Sequence, residues 1–280
     1  MGEEFGFSSV FGTGEELLES SGWDALLICS IHELLLPYLK HALRDGRPIL
    51  VEKPAALRSS DISSLLDTPN DHVAVAYNRR HYASSREARD FLHANGRGVV
   101  TVEVPETVGR MAETGIPEWK SILTNSVHMF DLASFITGGL GQRLHEPLET
   151  PGVGDCSVQL RRSRDGHLVI IKAIWNSPAN FSITLEAREQ RYVLSPIEVG
   201  TRYSGMQVIE PTADVPIRRY VPSAQTTTVA SAAFPYEKPG FVEQMLSFRS
   251  LVLGDHRPPE LATLADAAAA LAVAEDFIGV

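Results

Sequence analysis

Over the first hundred residues, apolar positions come in short solid runs separated by stretches with helical spacing. Ala25-Leu26-Leu27-Ile28-Cys29 is one run, strand 48–52 around Ile49-Leu50-Val51 a second, and His72–Tyr77 a third. Runs of this length, apolar on both faces, predict strands inside a parallel sheet. Between the first two, a helical stretch extends to Arg44, where Gly46 can end it from the left-handed conformation. A short helix is predicted near 60–67, started by Ser59 or Ser60, and another over 82–94, stopped by Asn95-Gly96. Strands alternating with helices at this spacing predict βα units.

The second half has another rhythm. Val99–Val104 predicts a strand, and residues 105–120, with two prolines, Gly109 and Gly115, a loop. Ser126–Ile136 has helical spacing and ends at Gly138-Gly139. From 156 to about 221 the chain predicts a mostly β region. Short strands rich in Val, Ile and aromatics fall at 167–175, 181–187 and 191–195, with a hairpin at Glu189-Gln190. Residues 222–240, rich in Ser, Thr and Pro, predict irregular structure, and helices close the chain at Phe241–Leu253 and Leu264–Phe277. The fold class expected is α/β plus α+β. An incomplete Rossmann-like parallel sheet (1–80) precedes a domain with a large, mostly antiparallel open sheet and flanking helices (81–280).

Composition narrows the partners. The 280 residues are 44% hydrophobic, enough for a sizeable core in one or two domains. A net charge of −10, spread along the chain, disfavours nucleic acid or an anionic membrane surface as a partner. Cys29 and Cys156 lie in apolar stretches, read as small buried hydrophobes and as fitting a reducing cytoplasm. Gly2-Glu3-Glu4 is unlike a signal peptide, and the apolar runs fall short of a membrane span. The nine histidines show no metal-ligand spacing, so no metal site is expected.

Glu52-Lys53-Pro54, where an apolar strand ends abruptly, opens the question of chemistry. "WDALLICS" followed by "ALRDGRPILVEKPAAL", then "VAYNRRHY", "NSVHMFDLASFITGG" and "GFVEQMLSFRSLVLGDHRPP … DAAAALAVAE", occur in this order over nearly the whole chain. Together they resemble the NAD(P)-dependent oxidoreductases of the glucose–fructose oxidoreductase/inositol dehydrogenase (Gfo/Idh/MocA) type. The resemblance implies that Lys53 reaches the nicotinamide and the substrate hydroxyl, aimed by Pro54, which is commonly cis in that family. Lys53 also lies just past a strand's carboxyl end, where ligands of doubly wound sheets bind. The alternative is a solvated lysine in a turn.

His128 is implied to handle the hydroxyl proton, a task suited to a group that changes charge near neutrality. Asp131, at i+3, shares its helical face. The competing reading is a core histidine paired with that aspartate. The family usually carries an aspartate where this chain has Thr124. Asn125 and Ser126 can hydrogen-bond a sugar hydroxyl but cannot take its proton. The expected machinery is therefore a Lys53/His128 pair, with Arg79, Arg80, Asn125 and Asp131 as substrate-binding candidates. Arg79 and Arg80 can hold a substrate carboxylate or phosphate, or else form surface ion pairs with Glu87 or Asp90. Cofactor contacts are expected from Ser30, Glu52, Lys53 and Pro54.

The family's Gly-x-Gly-x-x-Gly loop has no counterpart in this sequence. By register roughly 50 residues precede the matching region in relatives, more than the ~30 of a βαβ unit. In "FGTGEEL", Leu17 stands where a third glycine belongs, and Glu15 and Glu16 would oppose a pyrophosphate. Thr13 and Glu16 read instead as a capping box. His32 is either a cleft residue or an exposed residue at a helix start, the latter preferred. The sheet deprived of its first strands would expose an apolar edge.

These features imply an NAD- or NADP-linked oxidoreductase acting on a hydroxyl or keto carbon of a sugar or polyol. The alternatives are a non-catalytic pseudoenzyme or partner subunit, and a lyase or epimerase using Lys53 and His128. A homo-oligomer, or pairing with a full-length homologous subunit, is expected.

Overall fold

The computed structural model of the chain describes residues 3–20, 22–108, 115, 118–146, 148–149, 156–230 and 238–279. A short helix α1 (Gly14–Glu19) is capped by Thr13, whose hydroxyl accepts the Glu16 N–H at 3.2 Å. The Glu16 carboxylate returns to the Gly12 N–H at 2.8 Å, one residue earlier than a regular capping box.

Strands β1 (Leu26–Ile28), β2 (Ile49–Val51) and β3 (Val73–Val75) form a parallel sheet in the order β1-β2-β3. Helices α2 (His32–Ala42) and α3 (Ser59–Ser63) connect them, and α4 (Ala83–Asn95) follows. Gly46 and Gly96 end the preceding helical segments with φ of 65° and 74°, conformations that cost a glycine little. β2 and β3 are buried on both faces, whereas β1, paired only with β2 among the described residues, leaves Leu27 exposed. The adjoining Cys29 is exposed and Cys156 half-buried, so neither is the buried hydrophobe expected.

The second sheet gathers β4 (Val99–Val104), β5 (Leu140–Arg143), β6 (Leu148–Glu149), β7 (Cys156–Ser163), β8 (Leu168–Ile174), β9 (Ser182–Ala187), β10 (Gln190–Leu194), β11 (Val199–Ile209) and β12 (Arg219–Val229). Their order is β12-β11-β10-β9-β4-β8-β7-β5, with β6 on β7. β4 runs parallel to β8 and antiparallel to β9; the other pairings are antiparallel. Alternation along β4 buries Val100, Val102 and Val104, which turns one face to the core. The predicted hairpin forms, with Ala187 facing Gln190 across the turn.

Two expectations fail. Residues 222–229 belong to strand β12 rather than to irregular structure, because Thr226-Thr227-Thr228-Val229 pair with Val199–Arg202. Pro222 sits on the outer strand, which can spare its missing N–H. The expected irregular stretch continues into 231–237, which lie outside the described residues. Part of the expected 105–120 loop is helical: α5 (Glu118–Ser121) continues through π-helical Ile122–Ser126 into α6 (Val127–Ile136). Every residue of α6 is buried, as suits a helix apolar nearly all round.

Helices α7 (Phe241–Val252) and α8 (Leu264–Ile278) complete the fold. α8 opens with a Thr263–Asp266 capping box and packs against α3 and α6. Its Glu275 accepts the Ser59 N–H at 2.8 Å and the Ser59 hydroxyl, so the start of α3 is capped from across the molecule. Its Asp276 pairs with Arg161 of β7.

His81, between β3 and α4, faces Ser247 of α7 at 3.5 Å, and its Nε2 is buried without a partner. Burial first, then the charges of Arg80 and Arg86, pushes its pKa from 6.5 down to about 4. The unfolded chain takes up this proton near 6.5, the folded one only near 4. The stabilisation is therefore whole above that window and lost as pH falls through it. The expected loss is about 3 kcal/mol. Urea midpoints at pH 7 and 4.5 check it: His81→Gln should lose less on acidification than the parent. An equal loss in both would exonerate this ring.

Candidate active site

The carboxyl ends of β2 and β3 and the π-turn before α6 bring the candidate residues into one neighbourhood. β2 passes its last apolar residue, Val51, into Glu52-Lys53-Pro54, and the Lys53–Pro54 peptide is cis. The Lys53 ammonium crosses to the carbonyl of Thr124, donating at 2.6 Å. An ammonium has three N–H donors, and this bond uses one. Burial lowers the Lys53 pKa; Glu52 opposes the fall, Arg79 adds to it, and Glu106 opposes it. Glu52 itself is raised, mainly by burial.

His128 stands one turn after Thr124. Its ring meets Tyr77 edge to face, with centroids 5.7 Å apart, and its Nδ1 is buried without a partner. Burial, reinforced by the charges of Arg79 and Lys53, holds this imidazole well below its ordinary pKa. At neutral pH the ring is uncharged, able to accept a proton but not to carry one at rest. The competing pairing of His128 with Asp131 does not occur.

Asp131 pairs instead with Arg80. Arg80 Nε and Nη2 donate to the two Asp131 oxygens at 2.8 and 2.6 Å, and its Nη1 reaches Asp266 at 3.3 Å. Arg80 is 3% exposed and Asp131 1%. This corrects their expected substrate-binding role: each is consumed by the other in the core, and the Arg80 surface ion pair with Glu87 or Asp90 does not form either. Burial works against the Arg80 charge, but the Asp131 and Asp266 carboxylates more than offset it.

Arg79 behaves differently. Its Nη1 lies 3.2 Å from the Met129 thioether, and its guanidinium sits 5.2 Å over the Phe181 ring. Among the described residues no carboxylate pairs with it. Burial lowers its pKa, against Tyr82, Glu198 and Glu106. A half-buried guanidinium with unused donors can hold an anionic or hydroxyl-rich ligand. Asn125 is only partly free, because its Nδ2 donates to Glu106 at 2.8 Å.

Two residues join this neighbourhood beyond the expected set. His32, preferred as solvent-exposed, is half-buried, its pKa lowered by burial and then by Lys53 and Lys120. It belongs to the Lys53 neighbourhood. Glu106 is 5% exposed and accepts from both Asn125 and Ser126. Nothing in "EVPET" signals a carboxylate folded back under a helix 20 residues later.

For a dinucleotide, the described residues fit one end. Ser30, Glu52 and Lys53 line the carboxyl ends of the parallel strands, where a nicotinamide ring would lie. A groove of about 280 Å³ beside β1, lined by Gly14, Leu26, Ile28, Ser30 and Tyr38 among others, continues from there. The pyrophosphate end does not fit Gly12-Thr13-Gly14, since the Gly12 N–H is taken by the Glu16 carboxylate. Among the described residues no group of acidic, histidine or cysteine side chains is arranged to hold a metal. No helix of these residues is long and apolar enough to cross a membrane.

Comparison with known proteins agrees with the fold. No family model matches the chain. It is 34% identical over 101 residues to dTDP-3,4-didehydro-2,6-dideoxy-alpha-D-glucose 3-reductase of Streptomyces violaceoruber, covering 35% of this chain and 29% of that protein. It is 24% identical over 209 residues to inositol 2-dehydrogenase 2 of Saccharopolyspora erythraea, covering 68% and 60%. The aligned regions thus span less than two thirds of these relatives. Levoglucosan dehydrogenase, solved with NADH and levoglucosan, superposes with a TM-score of 0.70 at 15% identity, over 99% of this chain and 83% of that one. UDP-N-acetylglucosamine 3-dehydrogenase from Acidithiobacillus ferrooxidans gives 0.68 at 14%, over 98% and 82%. The resemblance read from the motifs is borne out: the relatives are oxidoreductases of sugars and inositol, and the chain shares the fold of such dehydrogenases.

Proposed function

We propose that this chain is an NAD(P)-dependent oxidoreductase of the Gfo/Idh/MocA type, acting at a hydroxyl or keto carbon of a sugar or polyol. The observation that carries the reading is the Lys53 ammonium, fixed on the Thr124 carbonyl one turn before a neutral His128. Lys53 has donors left for the reacting oxygen. His128 can receive a proton from that oxygen as an alcohol becomes a ketone, or return it in the reverse direction. A nicotinamide at the strand ends would supply or take up the hydride. Arg79 adds a donor set for a hydroxyl, carboxylate or phosphate elsewhere on the substrate. The substrates named for the relatives, a dTDP-linked deoxysugar and inositol, support a sugar-like ligand.

Titration of NADH and NADPH into the purified chain, followed by cofactor fluorescence, tests the reading. Saturable binding at micromolar cofactor, followed by oxidation on adding a keto sugar, is the expected result. Silence with both cofactors would favour the non-catalytic alternative, which the blocked Gly12 amide already makes worth testing.

A further inference from the structure

A buried carboxylate outside the Lys53/His128 pair governs the same turn. Glu106 follows β4 and Pro105, and its Oε2 accepts from Asn125 Nδ2 and Ser126 Oγ, both at 2.8 Å. Its Oε1 accepts the Thr107 N–H at 3.2 Å, and its carbonyl takes the Asn176 N–H at 2.7 Å. The carboxylate is thus held by neutral donors, and no basic side chain among the described residues forms an ion pair with it. A negative charge held by neutral donors attracts a cation nearby. Residues 125 and 126 lie directly after Thr124, the acceptor of the Lys53 ammonium, and directly before α6 with His128.

We propose that Glu106 is a positioning residue of the cleft: it clamps the π-turn on which Lys53 docks and supplies the negative charge that offsets the ammonium. This deepens the oxidoreductase reading, since it acts through Lys53. The other charged groups acting on Lys53 are Glu52 on its own strand end and Arg79 after β3, while the ammonium itself acts on His32 of α2 and His128 of α6. Among the charges acting on it, only Glu52 and Glu106 favour the charged amine.

The test needs no turnover, so it stands whether or not cofactor binds. Brief acetylation with acetic anhydride at graded pH, read by mass spectrometry of the Lys53 peptide, gives the midpoint for losing the ammonium proton. Glu106→Gln keeps an acceptor for Asn125 and Ser126 but removes the charge, and is expected to move the midpoint to lower pH. Glu106→Asp should fall between Gln and the parent, and it carries the test if the glutamine variant does not fold. A parental midpoint in a folded Glu106→Gln protein, or in Glu106→Asp where only that variant folds, would overturn the proposal.

Discussion

Asp131→Ala is expected to cost the fold about 3–5 kcal/mol, measured as the shift in urea unfolding at pH 7. The substitution strands the Arg80 guanidinium, 3% exposed, with only Asp266 at 3.3 Å to answer it. Asp266 is already committed to the Thr263 N–H and hydroxyl, both at 2.8 Å, so it cannot turn to replace the lost bidentate partner. Replacing both members, Arg80→Met with Asp131→Leu, should recover most of the loss, because a buried pair repays little beyond its own desolvation. A single-variant cost under about 1 kcal/mol, the scale of an exposed pair, would show that water reaches the site.

In the oxidoreductase reaction proposed above, Lys53→Met should reduce kcat by about 10² to 10⁴, the range of one positioned acid–base group. Methionine preserves much of the side-chain volume while removing the donor. The Thr124 carbonyl then loses this donor, at a cost of about 1 kcal/mol. Activity should therefore fall far more than stability. His128→Asn is expected to behave alike, since it removes the imidazole while keeping a polar side chain in its place. Turnover within tenfold of the parent in both variants would remove these residues from the chemistry, and the proposed reaction would need another proton route.

The parts of this molecule written locally were legible in its sequence. The solid run Ile49-Leu50-Val51 announces a buried strand because a strand covered on both faces needs no polar alternation. Gly46 and Gly96 mark helix ends because few other residues accept their φ. The 219–229 strand was illegible for the opposite reason. Its Ser, Thr and Pro content resembles a loop, and only the partner strand at 199–209 makes it β structure. Within the candidate site, the place of Lys53 just past a strand end was legible in the abrupt stop of its apolar run. The Arg80–Asp131 pair was not: its members lie 51 residues apart, and each reads equally well as a ligand-binding charge. Glu106 was hidden likewise, as its meaning comes from Asn125 and Ser126 on another element.

The role of α8 bears on the order in which the molecule can mature. This helix caps α3 through Glu275, holds β7 through Asp276 and lends Asp266 to Arg80, so it touches both sheets and the charged core between them. A nascent chain emerging from the ribosome therefore carries Lys53 and His128 long before the segment that ties their supports together. Vectorial synthesis leaves the cleft unfinished until residue 278 has cleared the exit tunnel, and until then the apolar faces of α3 and α6 await their cover.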